Sequence, residues 1–372
     1  MRERVSAWGV EGTVPRIAAA ALVVFAILYV VVIADPPGEF GSTGWRITNF
    51  GSAIDDPTAF LNTVLDGVTF AGLLFIVASG FSLIFGLMRV VNMAHGAFYL
   101  LGGYIAYEVQ QRMTGSGFGL QSGEVNTLEW VLPWLVAMVC IGLFGLGVQQ
   151  LLLRWNQGQD LRQALITIAV SVIVADQVIA HFPRTVPAGT QRFGGNAVSL
   201  TWPGWTNRFV DLHIGGVSYS LARLSMLALG IGVGIVLWLW LHRTKTGLVI
   251  RAGVDDRQMT SALGINIQWT FALAFLVGSA LAAFGAVVGG SQASIAQGRD
   301  GEWLLFSLVV VIIGGMGSLA GAAVGSVLYG LVFAFAVAYL PTTGTQYSVV
   351  LTFILMALVL AFRPQGLFGR AT

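Results

Sequence analysis

The chain has 372 residues, 56% of them hydrophobic and 10% charged, where a soluble domain carries about 25% charged residues. A formal net charge of +2 says little about partners, because the location of the charge matters more; nucleic acid is not an expected partner. Runs such as ALVVFAILYVVVIA do not alternate polar and apolar residues, which excludes a transmembrane barrel and leaves an all-α polytopic membrane protein surrounded by lipid.

In chain order, MRERVSAWGVEGTVPR precedes the first apolar run, 17–34. That run is too long for a signal-peptide core, and DPPGEF is no small-residue cleavage site, so an uncleaved first span is expected. Further apolar segments follow at 61–87, 92–109, 130–153, 163–182, 219–241, 269–290, 303–316, 318–340 and 347–362. Most approach the ~20 residues that cross a bilayer; the third and eighth are short and marked by glycine. Cys140 falls inside an apolar run and reads as a small buried hydrophobe. A lone cysteine forms no disulfide within the chain, and no metal cluster or cofactor is expected.

Positive charge orients the spans. Arg2, Arg4 and Arg16 precede the first, and Arg154 and Arg162 bracket the turn between the fourth and fifth. Arg243, Lys245, Arg251 and Arg257 separate the sixth from the seventh, and Arg363 and Arg370 follow the last. With about ten spans all four clusters fall on one side, the cytoplasm, together with both termini. Segments 35–60 and 183–218 then lie outside, and the second, rich in Pro, Gly, Trp and Thr, reads as a folded loop with a short hairpin. Spans two to five begin outside and spans seven to ten begin inside. Two units of opposite polarity suggest inverted structural repeats within a single transmembrane permease domain, 1–372.

Each half contains a Gly-rich interruption. The first is GLMRVVNMAHGAFYLLGGY, 86–104; the second is VVVIIGGMGSLAGAAVGSVLYG, 309–330. Broken helices survive in a membrane only where protein or water covers their backbone. A half-helix starting near Asn92 would aim free N–H groups at a polar solute. Asn92, His95, Gly96, Gly314, Gly315, Gly317 and Ser318 are therefore candidates for a translocation pathway. Helix capping and packing account for the same residues equally simply. Asp176, an intramembrane carboxylate near the outer end of its span, joins the candidates.

The loop HRTKTGLVIRAGVDDRQMTSALGINIQW, 242–269, holds a predicted short helix. Asp255 with Gln258 would cap it, Gly264 would end it, and Met259, Ala262 and Leu263 would share one face. Two turns are far below the ~12–15 residues needed for an isolated helix to be even marginally stable, so this one must dock on something.

RAGVDDRQMTSALGIN resembles the cytoplasmic coupling loop of ABC importer permeases of the branched-chain amino acid family. FSLIFGLMRVVNMAHGAFYLLGGY, VVIIGGMGSLAGAAVG and the terminal RPQGLFG are similar to that family's motifs in the same order, across roughly 60–365. The resemblance implies a permease subunit of a binding-protein-dependent, ATP-driven importer in the bacterial inner membrane. It implies as partners two cytoplasmic ATP-binding subunits, a second homologous permease and an external solute-binding protein. It also implies that Arg251, Ala252, Asp255, Asp256, Met259, Ala262, Leu263 and Gly264 carry the coupling contact. Many relatives have a carboxylate directly after AHG, where this chain has Ala97, and urea or short-chain amide permeases share much of the motif set. No G-x-x-x-x-G-K-[ST] phosphate loop is present, so ATP hydrolysis is expected on separate subunits and the chain is not expected to be an enzyme. A proton-coupled secondary transporter using Asp176 or His95 is the alternative from a different class.

Overall fold

A run from Pro57 to Met88 forms one unbroken helix, α1, with proline at the first helical position, where its missing N–H costs nothing. The computed structural model describes residues 57–88, 91–114, 125–182, 197–211, 217–340 and 347–369; the first expected span, 17–34, lies outside them, as do most of segment 35–60, much of 183–218, and Arg89. Helix α2 is His95–Thr114. Helix α3, Thr127–Val148, continues through a π turn, Gln149–Leu153, and a 3₁₀ turn, Arg154–Asn156. Helix α4 is Asp160–His181. Strands β1, Phe209–Asp211, and β2, Ser218–Ser220, pair antiparallel, and α5, Leu221–Arg243, follows. Two short helices, α6 at Lys245–Asp255 and α7 at Arg257–Ala262, lead into α8, Ile267–Gly289. Helices α9, Arg299–Gly314, α10, Leu319–Tyr339, and α11, Ser348–Phe362, complete the described helices.

The protein is an all-α membrane protein. Among the described residues six helical runs are long and apolar enough to cross a bilayer: α1, 127–156, α4, α5, α8 and α10. Helix α11 is apolar but has only 15 residues, and α9 has 16. The core is α1 against α8. Their apolar windows are 78% and 83% buried, against 17–39% for the other four. Lipid offers no hydrophobic drive for helix association, so close packing of small residues does that work. Both core helices are rich in Gly, Ala and Ser at their contacts.

The bundle has two distinct ends. At one end, the hairpin meets the start of α1. Tyr219 donates to Asp66 at 2.7 Å, Thr69 and Tyr219 share a hydrogen bond of 3.1 Å, and Arg223 forms an ion pair with Asp66. Segment 197–211 lies at this end too. Val198 bridges Ile295, and the Gln110 side chain both accepts from the Thr201 N–H (3.0 Å) and donates to its carbonyl (2.9 Å). Trp202 packs on Trp130. At the other end lie α6, α7, the turn between α9 and α10, and the C-terminal 363–369.

Cys140 is exposed, contrary to the buried role expected for it. It sits on α3 between the outward Val139 and a bundle-facing Ile141. A helix in lipid needs no protein cover for an apolar side chain, so hydrophobicity alone did not distinguish core from lipid face.

Candidate coupling surface and the two helix breaks

Helix α6 begins where the Thr244 hydroxyl accepts from the Gly247 N–H at 3.0 Å. It buries Gly247, Ile250 and Gly253, one side of the helix at steps of three. Asp256 then takes an extended conformation, φ −145° and ψ 104°, and its carboxylate accepts from the Met259 N–H at 2.9 Å. Asp256 is thus the N-cap of α7, and the expected cap, Asp255, is the last residue of α6. A second helix immediately upstream shifts the cap by one position. Thr260, only 3% exposed, anchors α7 to the bundle, while Met259 and Leu263 are 61% and 74% exposed. Ala262 and Gly264 are exposed with them. Gly264 ends the helix at φ +81°, and Asn266 caps α8. Ala252 is half-buried on α6, and Arg251 and Asp255 border a cavity between α6 and the bundle.

The first break is tied down by side chains. The Asn92 carboxamide oxygen accepts from the Ala94 N–H at 3.1 Å, and the Asn92 carbonyl accepts from the His95 N–H at 3.2 Å. The Met93 N–H donates to Thr167 on α4 at 3.2 Å. His95 is fully buried. Its Nε2 lies 3.0 Å from the Val77 carbonyl, and its ring stands edge-on to Phe81. Gly96 presses against the backbone of Asp300, in the first turn of α9. The two short glycine-marked helices, α2 and α9, therefore meet near their starts.

At the second break the backbone turns through two residues of positive φ, Gly315 (+103°) and Gly317 (+80°), which a side chain would strain. The Ser318 hydroxyl accepts from the Gly321 N–H at 3.0 Å and caps α10. The last carbonyls of α9 would lack partners. The C-terminal strap supplies them: the Leu367 N–H donates to Ile313 and the Phe368 N–H to Gly314, both at 2.9 Å. A Cβ at Gly86 would lie 2.9 Å from the Gly317 Cα, and one at Gly317 would lie 3.9 Å from Val254. Four sequence motifs far apart in the chain, around Gly86, Val254, Gly317 and Leu367, thus converge at one end. Between them lies a cavity of 930 Å³, lined in part by Ser82, Leu83, Arg251, Asp255, Ser318 and Phe368.

The expected pathway residues fall into three groups. Asn92, His95 and Gly96 are together at the start of α2. Gly314, Gly315, Gly317 and Ser318 form the second break. Asp176 lies apart from both, on the exposed face of α4. Sequence reasoning marked the strap by its motif RPQGLFG but did not find its capping role; Gly366 within it adopts φ +78°. Asp66, still 42% exposed, forms an ion pair with Arg223 and accepts from Tyr219.

A profile described as the permease component of the branched-chain amino acid transport system matches residues 63–360. The chain is 28% identical over 313 residues to the high-affinity branched-chain amino acid transport system permease protein BraD of Pseudomonas aeruginosa. It is 27% identical to the corresponding LivH of Escherichia coli K12 and 26% identical to that of Salmonella typhimurium. Each alignment covers 84% of this chain and 96% of the relative. The match spans α1 to α11 and takes in α6, α7 and both breaks, so the chain belongs to the branched-chain amino acid transport permease family.

Proposed function

We propose that this chain is a membrane-spanning permease subunit of an ATP-driven, binding-protein-dependent importer, and that its cargo is a branched-chain amino acid. The observation that carries the reading is the family match over 63–360, joined to the exposed apolar tip of α7. Met259 and Leu263 stand out from an end rich in arginine and lysine, and an exposed apolar tip on a polar surface suits a partner's groove.

On this reading the end carrying α6 and α7 is cytoplasmic, and ten spans are counted by adding the first apolar run and the shorter α2, α9 and α11. Two copies of an ATP-binding subunit close on ATP and push α7 through Asp256, Met259, Ala262, Leu263 and Gly264. Helix α6 passes that displacement to α1 at Gly253, where Leu87 packs, and to the second break through Val254. Gly86, near the end of α1, packs on Gly317, and Val254 of α6 lies beside Gly317, so a push on α6 reaches the pathway residues of the second break directly. Asp176, on an outward face, suits contact with the second permease. The binding protein docks at the opposite end, on segment 197–211 and the hairpin. The pairing of α1 and α8, the two most buried of the six long apolar helices, and the meeting of α2 with α9 fit two inverted repeats.

The test is Leu263→Asp, which places a charge in the partner's groove without touching a buried residue. Copurification of the ATP-binding subunits and uptake of labelled leucine are expected to fall at least tenfold. Unchanged copurification and uptake would overturn the coupling role.

A further inference from the structure

We propose that the cavity between α6, α1, α5, the second break and the C-terminal strap binds a free apolar α-amino acid from the cytoplasmic side. The inference rests on the importer reading for its orientation and for the identity of the solute. It assigns this chain a binding site of its own, distinct from the recognition supplied by the external binding protein.

Size comes first. At 930 Å³ the cavity falls within the roughly 300–1,000 Å³ range of small-ligand pockets and holds an amino acid with accompanying water. Its lining has the two halves that such a ligand needs. Leu83, Phe85, Leu237, Leu241 and Ile250 make an apolar wall. Arg251 and Asp255 supply opposite charges one helical turn apart on α6, a spacing at which neighbouring side chains share a face. The Arg251 Nε is buried and has no hydrogen-bond partner among the described residues. A buried guanidinium N–H without an acceptor is costly, and a carboxylate is the acceptor that matches its planar fork. A zwitterion with a branched apolar side chain thus meets Arg251 with its carboxylate, Asp255 with its ammonium group, and the aliphatic wall with its side chain.

Position gives the site its consequence. The walls belong to elements that the coupling movement must shift relative to one another: α6, the turn at Met316–Leu319, and the strap at Pro364–Gly369. A ligand held among them experiences that shift directly, as a departing cargo molecule must.

The experiment measures equilibrium binding of radiolabelled L-leucine to the full chain, copurified with its native partners in lipid nanodiscs and without the binding protein. Saturable binding is expected, with L-leucinamide, which keeps the ammonium and side chain but lacks the carboxylate, competing at least tenfold more weakly. Arg251→Gln is expected to weaken leucine binding at least tenfold, and Arg251→Lys by less. Leu83→Trp, which fills the cavity from a half-buried position on α1, is expected to abolish binding while the complex still copurifies. No saturable binding to the wild type, equal competition by leucinamide, or unchanged binding in both Arg251→Gln and Leu83→Trp would overturn the inference. Uptake by the same preparation with the binding protein restored separates the two readings. Normal leucine uptake without leucine binding at the cavity overturns the cavity site alone, whereas a complex that imports no branched-chain amino acid overturns the importer reading on which it rests.

Discussion

Gly96 sets how closely the starts of α2 and α9 can approach, because its backbone packs directly on that of Asp300. A methyl group there has no space, and the neighbour is main chain that cannot rotate away. Gly96→Ala is expected to cost about 1–3 kcal/mol, as overpacking in a tight core does, and to lower the melting temperature of the detergent-solubilised chain. Gly232→Ala, on α5 with open space around the added Cβ, is the control and is expected to leave the melting temperature within experimental scatter. The break itself was legible, since GLMRVVNMAHG carries residues that lipid-facing helices seldom use. Its partner was not. Sequence periodicity reports which side of a helix is apolar and says nothing about which distant backbone that side will meet. The same holds for Cys140 and Asp176, whose outward positions depend on rotation about the helix axis inside an almost uniformly apolar run. His95 was expected at a break, with hydrogen-bonded packing as the simpler reading of its side chain, but its contact with Val77 could not be read without the fold.

Among the elements, α7 is the least self-sufficient. Six residues form little more than one turn, held by the Asp256 cap and the buried Thr260. Asp256→Ala is expected to destabilise that turn by about 1 kcal/mol. The global melting temperature should barely move, while leucine-stimulated ATP hydrolysis by the assembled transporter falls severalfold. Asp255→Ala should leave the turn intact, which distinguishes the observed cap from the one expected from sequence; hydrogen exchange at the Met259 amide is the direct readout. The strap makes a second element-scale case. Leu367→Pro removes the N–H that satisfies the Ile313 carbonyl at the end of α9. An unsatisfied buried carbonyl costs about 1–3 kcal/mol, so the variant is expected to melt lower and to expose 363–369 to protease. The loop helix and its ending at Gly264 were legible because caps and positive-φ glycines are local signals. The strap was not, because its hydrogen bonds cross some fifty residues and its function lies in the helix it caps.

At the scale of the whole molecule, a buried pair of helices supports a sheath of lipid-facing ones, and two differently built ends close the bundle. Hydropathy located α1, α3, α4, α5, α8 and α10 because each carries enough continuous apolar residues. Helix α2 is polar for a span and α9 is short, and both are tolerated because neighbouring helices cover them. The proposed function divides the labour: the chain forms the passage, and separate subunits supply energy and selection. The most direct measurement is uptake of labelled leucine into proteoliposomes containing either the isolated chain or the chain with its second permease, ATP-binding subunits and binding protein. The account predicts accumulation above equilibrium only in the complete assembly and only with ATP. Concentrative uptake by the isolated chain, driven by a proton gradient or by nothing added, would contradict it.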